Sequence, residues 1–203
     1  MSSVSPLSDG AQRILSTAAP LFAHKGFAGV SVNDIAEAAG TSKANVFHHF
    51  PNKESLYLAA IGSACTTFRN EVEQLTRSSD ERERLRAIAS GHLNRMFIDP
   101  DATRLILREV FAGDKGHDRA HIAEILHRNF SVLVEAVSEG QAGGWVEKDT
   151  DPVMVAMTII AINTFLFQSW NILERFEEFS SYKTSQQCLE DLYGTLAKGL
   201  VPA

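Results

Sequence analysis

Apolar residues recur along the chain at helical spacing, and each run closes on a helix stop. Between residues 9 and 26, Ile14, Leu15, Ala18, Ala19 and Phe22 share one face ahead of Gly26, the three-to-four spacing of an amphipathic helix with a glycine end. Pro20 inside that run predicts a kink or a weak point. Ser31 stands three residues before Asp34, close to a capping box with Asp replacing the preferred Glu, and the second helix ends at Gly40. Ser42 is placed to cap a third short helix, which Pro51 stops, and Asn52 caps a longer helix that begins at Lys53.

The same grammar continues beyond residue 77. Asp80 precedes the run "ERERLRAIASGHLNRMF", while Asp99-Pro100 and Asp151-Pro152 each read as an N-cap followed by proline at the first helical position. Breaks fall at "GDKG" (113–116) and "EGQAGGW" (139–145), and Thr184 or Ser185 opens a last helix running to about Gly199. Strand signals are nearly absent. The pattern predicts an all-α protein of about nine helices, with an N-terminal domain over 1–56 and a second helical domain over 57–203.

The second and third helices are short and meet at Gly40-Thr41-Ser42, the turn length of a helix-turn-helix, with glycine where a left-handed conformation is needed. Ile35, Ala36, Ala39, Val46 and Phe50 are spaced to close a small core on Ile14, Ala18 and Phe22. That packing leaves Lys43, Ala44, Asn45, Phe47 and His48 on the outer face of the third helix.

Charge sharpens this reading. The chain carries a formal net charge of −6, which excludes a protein that coats nucleic acid or anionic lipid with its whole surface. Over 1–58 the signs balance, Arg13, Lys25, Lys43 and Lys53 against Asp9, Asp34, Glu37 and Glu54. Yet "GTSKANVFHHFPNK" (40–53) contains no acid at all. A helix lying in the major groove brings its side chains close to phosphates, where a carboxylate is repelled and lysine or imidazole is tolerated. Asn45 can read an adenine edge bidentately, and small Ala44 lets the backbone approach or meets a thymine methyl.

The stretch "AAPLFAHKGFAGVSVNDIAEAAGTSKANVFHHFPNKESLY" resembles the TetR (tetracycline-repressor-like) family of bacterial transcriptional regulators, in its "A…LF…G" first helix, its Ser-x-x-x-Ile-Ala second helix and its Lys-Glu-x-Leu start to helix four. The resemblance implies a helix-turn-helix domain at 1–56, an effector-binding and dimerisation domain at 57–203, and binding of a palindromic double-stranded DNA operator as a homodimer. It implies phosphate contacts at Ser31 and Val32, base reading from Ser42, Lys43, Ala44 and Asn45, and phosphate contacts from His49 and Lys53. Two positions depart from the pattern. Phe47 stands where tyrosine is usual and loses a hydroxyl bond to phosphate, about 1 kcal/mol; Thr41 stands where valine is usual, and its hydroxyl is available to backbone or DNA.

In the second half, residues 152–173 hold no charge and are long enough to span a bilayer. Thr158, Asn163, Thr164, Gln168, Ser169 and Asn171 within them, and acidic flanks without a positive-inside bias, favour a buried helix of a soluble, cytoplasmic protein. This helix and the last one, with Leu189, Leu192, Leu196 and Leu200 on one stripe, are the candidate dimer interface. Phe68, Phe97, Phe111, Phe130, Trp145, Asn163, Phe167 and Trp170 are candidate lining for a small apolar or aromatic effector, with ordinary core packing as the competing reading of each.

Other chemistry is thinly represented. His117 and His121 at i, i+4, with His127, lack a carboxylate partner and read as a solvated helix start, so neither metal nor cofactor is expected. Cys65 and Cys188 stand far apart, outside any metal or redox motif. No nucleophile elbow or phosphate loop marks an enzyme. Two other classes remain open: a helical small-molecule or redox sensor without DNA binding, and a small helical enzyme using buried His or Glu.

Overall fold

The computed structural model describes residues 7–78, 84–112 and 118–200. Among them are nine α-helices: α1 (Asp9–Lys25), α2 (Val32–Ala38), α3 (Lys43–His49), α4 (Lys53–Ser78), α5 (Arg84–Ile98), α6 (Pro100–Val110), α7 (Arg119–Gly143), α8 (Pro152–Leu173) and α9 (Ser185–Leu200), with one 3-10 turn at Glu177–Phe179. No strand occurs among the described residues.

The caps read from sequence are where the helices begin. Asn52 accepts from the Ser55 N–H, Asp99 from Ala102, Asp151 from Val153 and Thr184 from Gln187, while Ser8, which the pattern did not single out, accepts from Ala11. Each satisfies an N–H that has no intrahelical partner. Pro20 does not interrupt α1, which runs on to a Gly26 cap whose N–H bonds to the Phe22 carbonyl. Asp80, His117 and the break at 113–116 lie outside the described residues.

By compactness the chain falls into two units that do not divide at residue 56. One comprises the residues up to Thr66 with Asp99–Leu126; the other comprises Thr67–Ile98 with the residues from His127 onward. The first unit extends so far because its core does. Ile14, Leu15, Ala18 and Phe22 of α1, Ile35 and Ala36 of α2, Val46 of α3 and Leu56, Tyr57 and Ile61 of α4 share one buried cluster with Leu105, Ile122 and Ile125. Polar ties reinforce it. Buried Tyr57 donates to Glu109 Oε1 at 2.5 Å, Arg108 Nη2 donates to the Ala23 carbonyl at 3.0 Å, and His24 Nε2 stands 2.9 Å from Asp101 Oδ1. Burial and the adjacent Glu109 push the Tyr57 hydroxyl pKa well up, so it stays a donor.

The second unit buries Val72, Ile88, Leu133, Ala136 and Ala156 together. Asn163, fully buried on α8, donates its amide to the Ala89 carbonyl at 2.8 Å and pairs with His92 Nδ1 at 2.9 Å, tying α8 to α5. Since the amide donates, His92 Nδ1 must be unprotonated; burial pushes its pKa down to about 4. Trp145 closes the turn before α8, and a Cβ on Gly140 would stand 2.7 Å from its ring, so the close approach of ring and backbone requires glycine there. Gln141 Nε2 reaches the Glu147 and Thr150 carbonyls at 2.9 and 2.7 Å and holds the same turn.

Helix α8 is long and apolar enough to cross a membrane by length and composition. It buries one stripe, Val155, Ala156, Ile159, Asn163, Leu166, Trp170 and Leu173. On the other side Met154, Met157, Phe165 and Ile172 are each more than half exposed.

Candidate nucleic-acid interface

The turn between α2 and α3 follows from its residues. Helix α2 opens on a complete capping box: Ser31 Oγ accepts from the Asp34 N–H at 3.1 Å, and Asp34 Oδ2 accepts from the Ser31 N–H at 2.8 Å. That N–H donation lowers the Asp34 pKa. The helix ends in a Schellman turn: the Thr41 N–H returns to the Ala36 carbonyl at 2.9 Å and the Gly40 N–H to Glu37 at 3.1 Å. Gly40 has φ of 60°, a left-handed conformation that a side chain would strain. Ser42 then caps α3 by accepting from the Asn45 N–H at 3.1 Å.

Helices α1, α2 and α3 pack pairwise. Val46 and Phe50 point into the core with Ile35, Ala36 and Ala39, as the spacing predicts. Ser42, Lys43, Ala44, Phe47 and His48 are exposed, with Thr41, Asn45 and His49 half-buried beside them. Phe47 is 41 % exposed, and Lys43 Nζ lies 5.8 Å from its ring centroid. The His48 and His49 rings meet edge to face at 5.1 Å. His49 also leans on the start of α1: a Cβ on Gly10 would stand 2.9 Å from its Nε2. Ser31 is exposed and Val32 half-buried at the start of α2. Both serine hydroxyls act as caps, which still leaves each an O–H to donate.

Lys53 is differently engaged from what the resemblance implies. Its ammonium donates to the Phe27 and Val30 carbonyls at 2.9 and 3.0 Å and sits 4.0 Å from the Phe27 ring centroid. It ties the connection between α1 and α2 to the start of α4, with at most one N–H left for a phosphate. Sequence reading missed this because carbonyl positions 23 and 26 residues away are set by the tertiary fold. Lys53→Ala is expected to destabilise the protein by about 2 kcal/mol, since two charge-assisted bonds and a ring contact are lost. It should change the salt dependence of any DNA binding by less than one unit. Thermal unfolding and a salt titration check both; an unchanged melting temperature with a full unit off the slope would assign the ammonium to phosphate.

Of the residues proposed as effector lining, none of those described in the second unit borders the groove found there. Trp145, Asn163 and Trp170 are buried in the second unit, and Phe130 packs against its core. Phe97 is exposed and meets Phe167 edge to face at 5.3 Å, and Phe111 is 67 % exposed in the first unit. The side chain of Phe68 lies outside the described residues. Helical periodicity marks a face as apolar without saying whether side chains or a ligand fill the space against it. A groove of about 680 Å³ does open in the second unit, lined by other residues, among them Phe165, Leu166, Leu173, Phe179, Tyr182 and Leu192. Among the described residues no group of three or more metal-ligating side chains forms.

A tri-helical unit with a glycine turn and an exposed, acid-free third helix defines a helix-turn-helix protein. The family pattern "Bacterial regulatory proteins, tetR family" matches residues 14–60. HTH-type transcriptional regulator RutR of Escherichia coli K12 is 35 % identical over 107 residues, 49 % of this chain and 47 % of RutR, so the chain spans about half the length of the curated relatives it matches. AibR, solved with isovaleryl coenzyme A and operator DNA, superposes with a TM-score of 0.66 at 22 % identity over 96 % of this chain and 99 % of AibR. FadR of Bacillus subtilis, solved with stearoyl-CoA, gives 0.72 at 19 % identity over 92 % and 96 %. Residues 14–60 therefore carry the helix-turn-helix pattern of the tetR family. The matched pattern describes regulatory proteins, and RutR is a transcriptional regulator.

Proposed function

We propose that this protein is a cytoplasmic, ligand-responsive transcriptional repressor that binds a palindromic operator as a homodimer and is released by a small apolar or aromatic effector. One observation carries the reading: the outward face of α3 is exposed, free of carboxylates and held on a buried core. In this reading residues 1–56 contact DNA and residues 57–203 bind effector and dimerise. Thr41, Ser42, Lys43, Ala44, Asn45, Phe47 and His48 face the major groove, while Ser31, Val32 and His49 flank it near phosphates. The exposed apolar stripe of α8, with α9 beside it, supports pairing of two copies through these helices. The described side chains of α9 reach only to Thr195, so Leu196 and Leu200 add nothing to that argument.

Effector release requires ligand affinity that differs between DNA-competent and incompetent states. Helix α4 starts at Lys53 beside the DNA-facing turn and continues to Ser78, which makes it our candidate for transmission. The acyl-CoA ligands of AibR and FadR place thioesters among the first compounds to try, beside aromatic metabolites.

The test is selection by the purified full chain from a library of duplexes with a randomised centre. Enrichment of inverted half-sites about one helical turn, roughly 34 Å, apart is expected; no enrichment at low ionic strength would overturn the reading. A panel of acyl-CoA thioesters and apolar aromatics should then contain a compound that releases the selected duplex, and none doing so would remove the effector part alone.

A further inference from the structure

Asn45 stands on the outer face of α3 with one amide proton already committed: its Nδ2 donates to Thr41 Oγ1 at 2.9 Å. Both ends of this bond are fixed by backbone. Thr41 is the residue whose N–H closes the Schellman turn on Ala36, and Asn45 is the residue whose N–H is capped by Ser42. The hydroxyl is therefore delivered to one place by the glycine turn, and the amide is delivered to it by the first turn of α3. A free Asn side chain samples several rotamers and a two-fold amide flip; here the bond to Thr41 restricts it, with Nδ2 turned toward the hydroxyl.

The groups left over match one base. Recognition of adenine in the major groove needs an acceptor for N6–H and a donor for N7, presented side by side. With one Nδ2 proton on Thr41, the amide retains its other proton and Oδ1, one donor and one acceptor in one plane. We propose that Thr41 is a specificity-determining positioning residue, whose hydroxyl sets the Asn45 amide to read an A·T pair in each half-site. This rests on the DNA-binding reading above and adds to it the base preferred at one position and the residue, outside the groove-facing helix, that enforces it.

Selection from the randomised duplex library, read by sequencing, tests this with full-length wild type, Thr41→Val, Thr41→Ser, Asn45→Ala and the Thr41→Val/Asn45→Ala double variant. Valine keeps the shape of threonine and loses only the hydroxyl; serine keeps the hydroxyl. Thr41→Val is expected to reduce the preference for A·T at one position per half-site about five-fold, the scale of one neutral hydrogen bond, leaving other positions and the melting temperature unchanged. Thr41→Ser should retain the wild-type profile, and the double variant should match Asn45→Ala. The inference is overturned if Thr41→Val and wild type share one profile, if the two single variants alter different positions, or if that position prefers G·C. Wild type enriching no duplex would instead sink the DNA-binding reading itself, so the two failures are distinguishable.

Discussion

Ala44→Glu is expected to remove specific DNA binding while leaving the protein folded. Position 44 is exposed on the first turn of α3, where a glutamate complements the helix dipole and disturbs no core contact. Folding therefore gives no reason for the absence of an acid here, and the cost must appear only in complex. A carboxylate about 4 Å from a phosphate is repelled by about 4 kcal/mol at an effective dielectric of 20, near a thousandfold in affinity. Ala44→Gln has almost the same volume without the charge and separates sterics from electrostatics. The expected order in a binding titration is wild type, then Gln, then Glu, with equal melting temperatures. Glutamate binding as tightly as glutamine would mean that α3 does not approach phosphate.

What could be read in advance divides by the range of the interaction. Ser31, Ser42, Asn52, Asp99 and Asp151 act on N–H groups two or three residues away, so their roles are written in adjacent letters. The core of α1, α2 and α3 was legible for a similar reason, because each short helix has few ways to hide Ile35, Val46 and Phe50. Lys53 was not. A lysine in an acid-free stretch reads as a phosphate contact, and only the folded loop reveals the two carbonyls beneath it. The extent of the first unit was hidden too: Glu109 meets Tyr57 across 52 residues, and nothing near either residue announces the other. A buried acid inside an amphipathic helix is at most a hint that such a donor exists.

The aromatic residues illustrate a different limit. Trp145 and Trp170 are large and apolar, and the free energy gained by burying them is the same whether the neighbour is protein or ligand. Their position in the core came from packing choices, such as Gly140 under the Trp145 ring, that hydropathy alone does not encode. Conversely, Met154, Met157, Phe165 and Ile172 read as part of a uniformly apolar helix, and only the fold distinguishes the face they leave open from the face already used.

Phe165→Glu tests that open face and is expected to convert a dimer into a monomer. Phe165 is 60 % exposed and also borders the groove between α8 and α9, so in a single chain the change removes little buried area. In a two-fold dimer the same position occurs twice, and each carboxylate would be carried into apolar surroundings without a partner, at several kcal/mol. A monomer keeps one recognition helix and forfeits the gain from binding two half-sites at once, about 100- to 10,000-fold in affinity. Sedimentation should therefore report half the wild-type mass, and the loss of operator binding should exceed the loss for a single half-site duplex. A variant that stays dimeric would move the interface elsewhere on the molecule. If the wild-type chain instead partitioned into vesicles while the variant did not, the apolar face of α8 would meet lipid rather than a second copy.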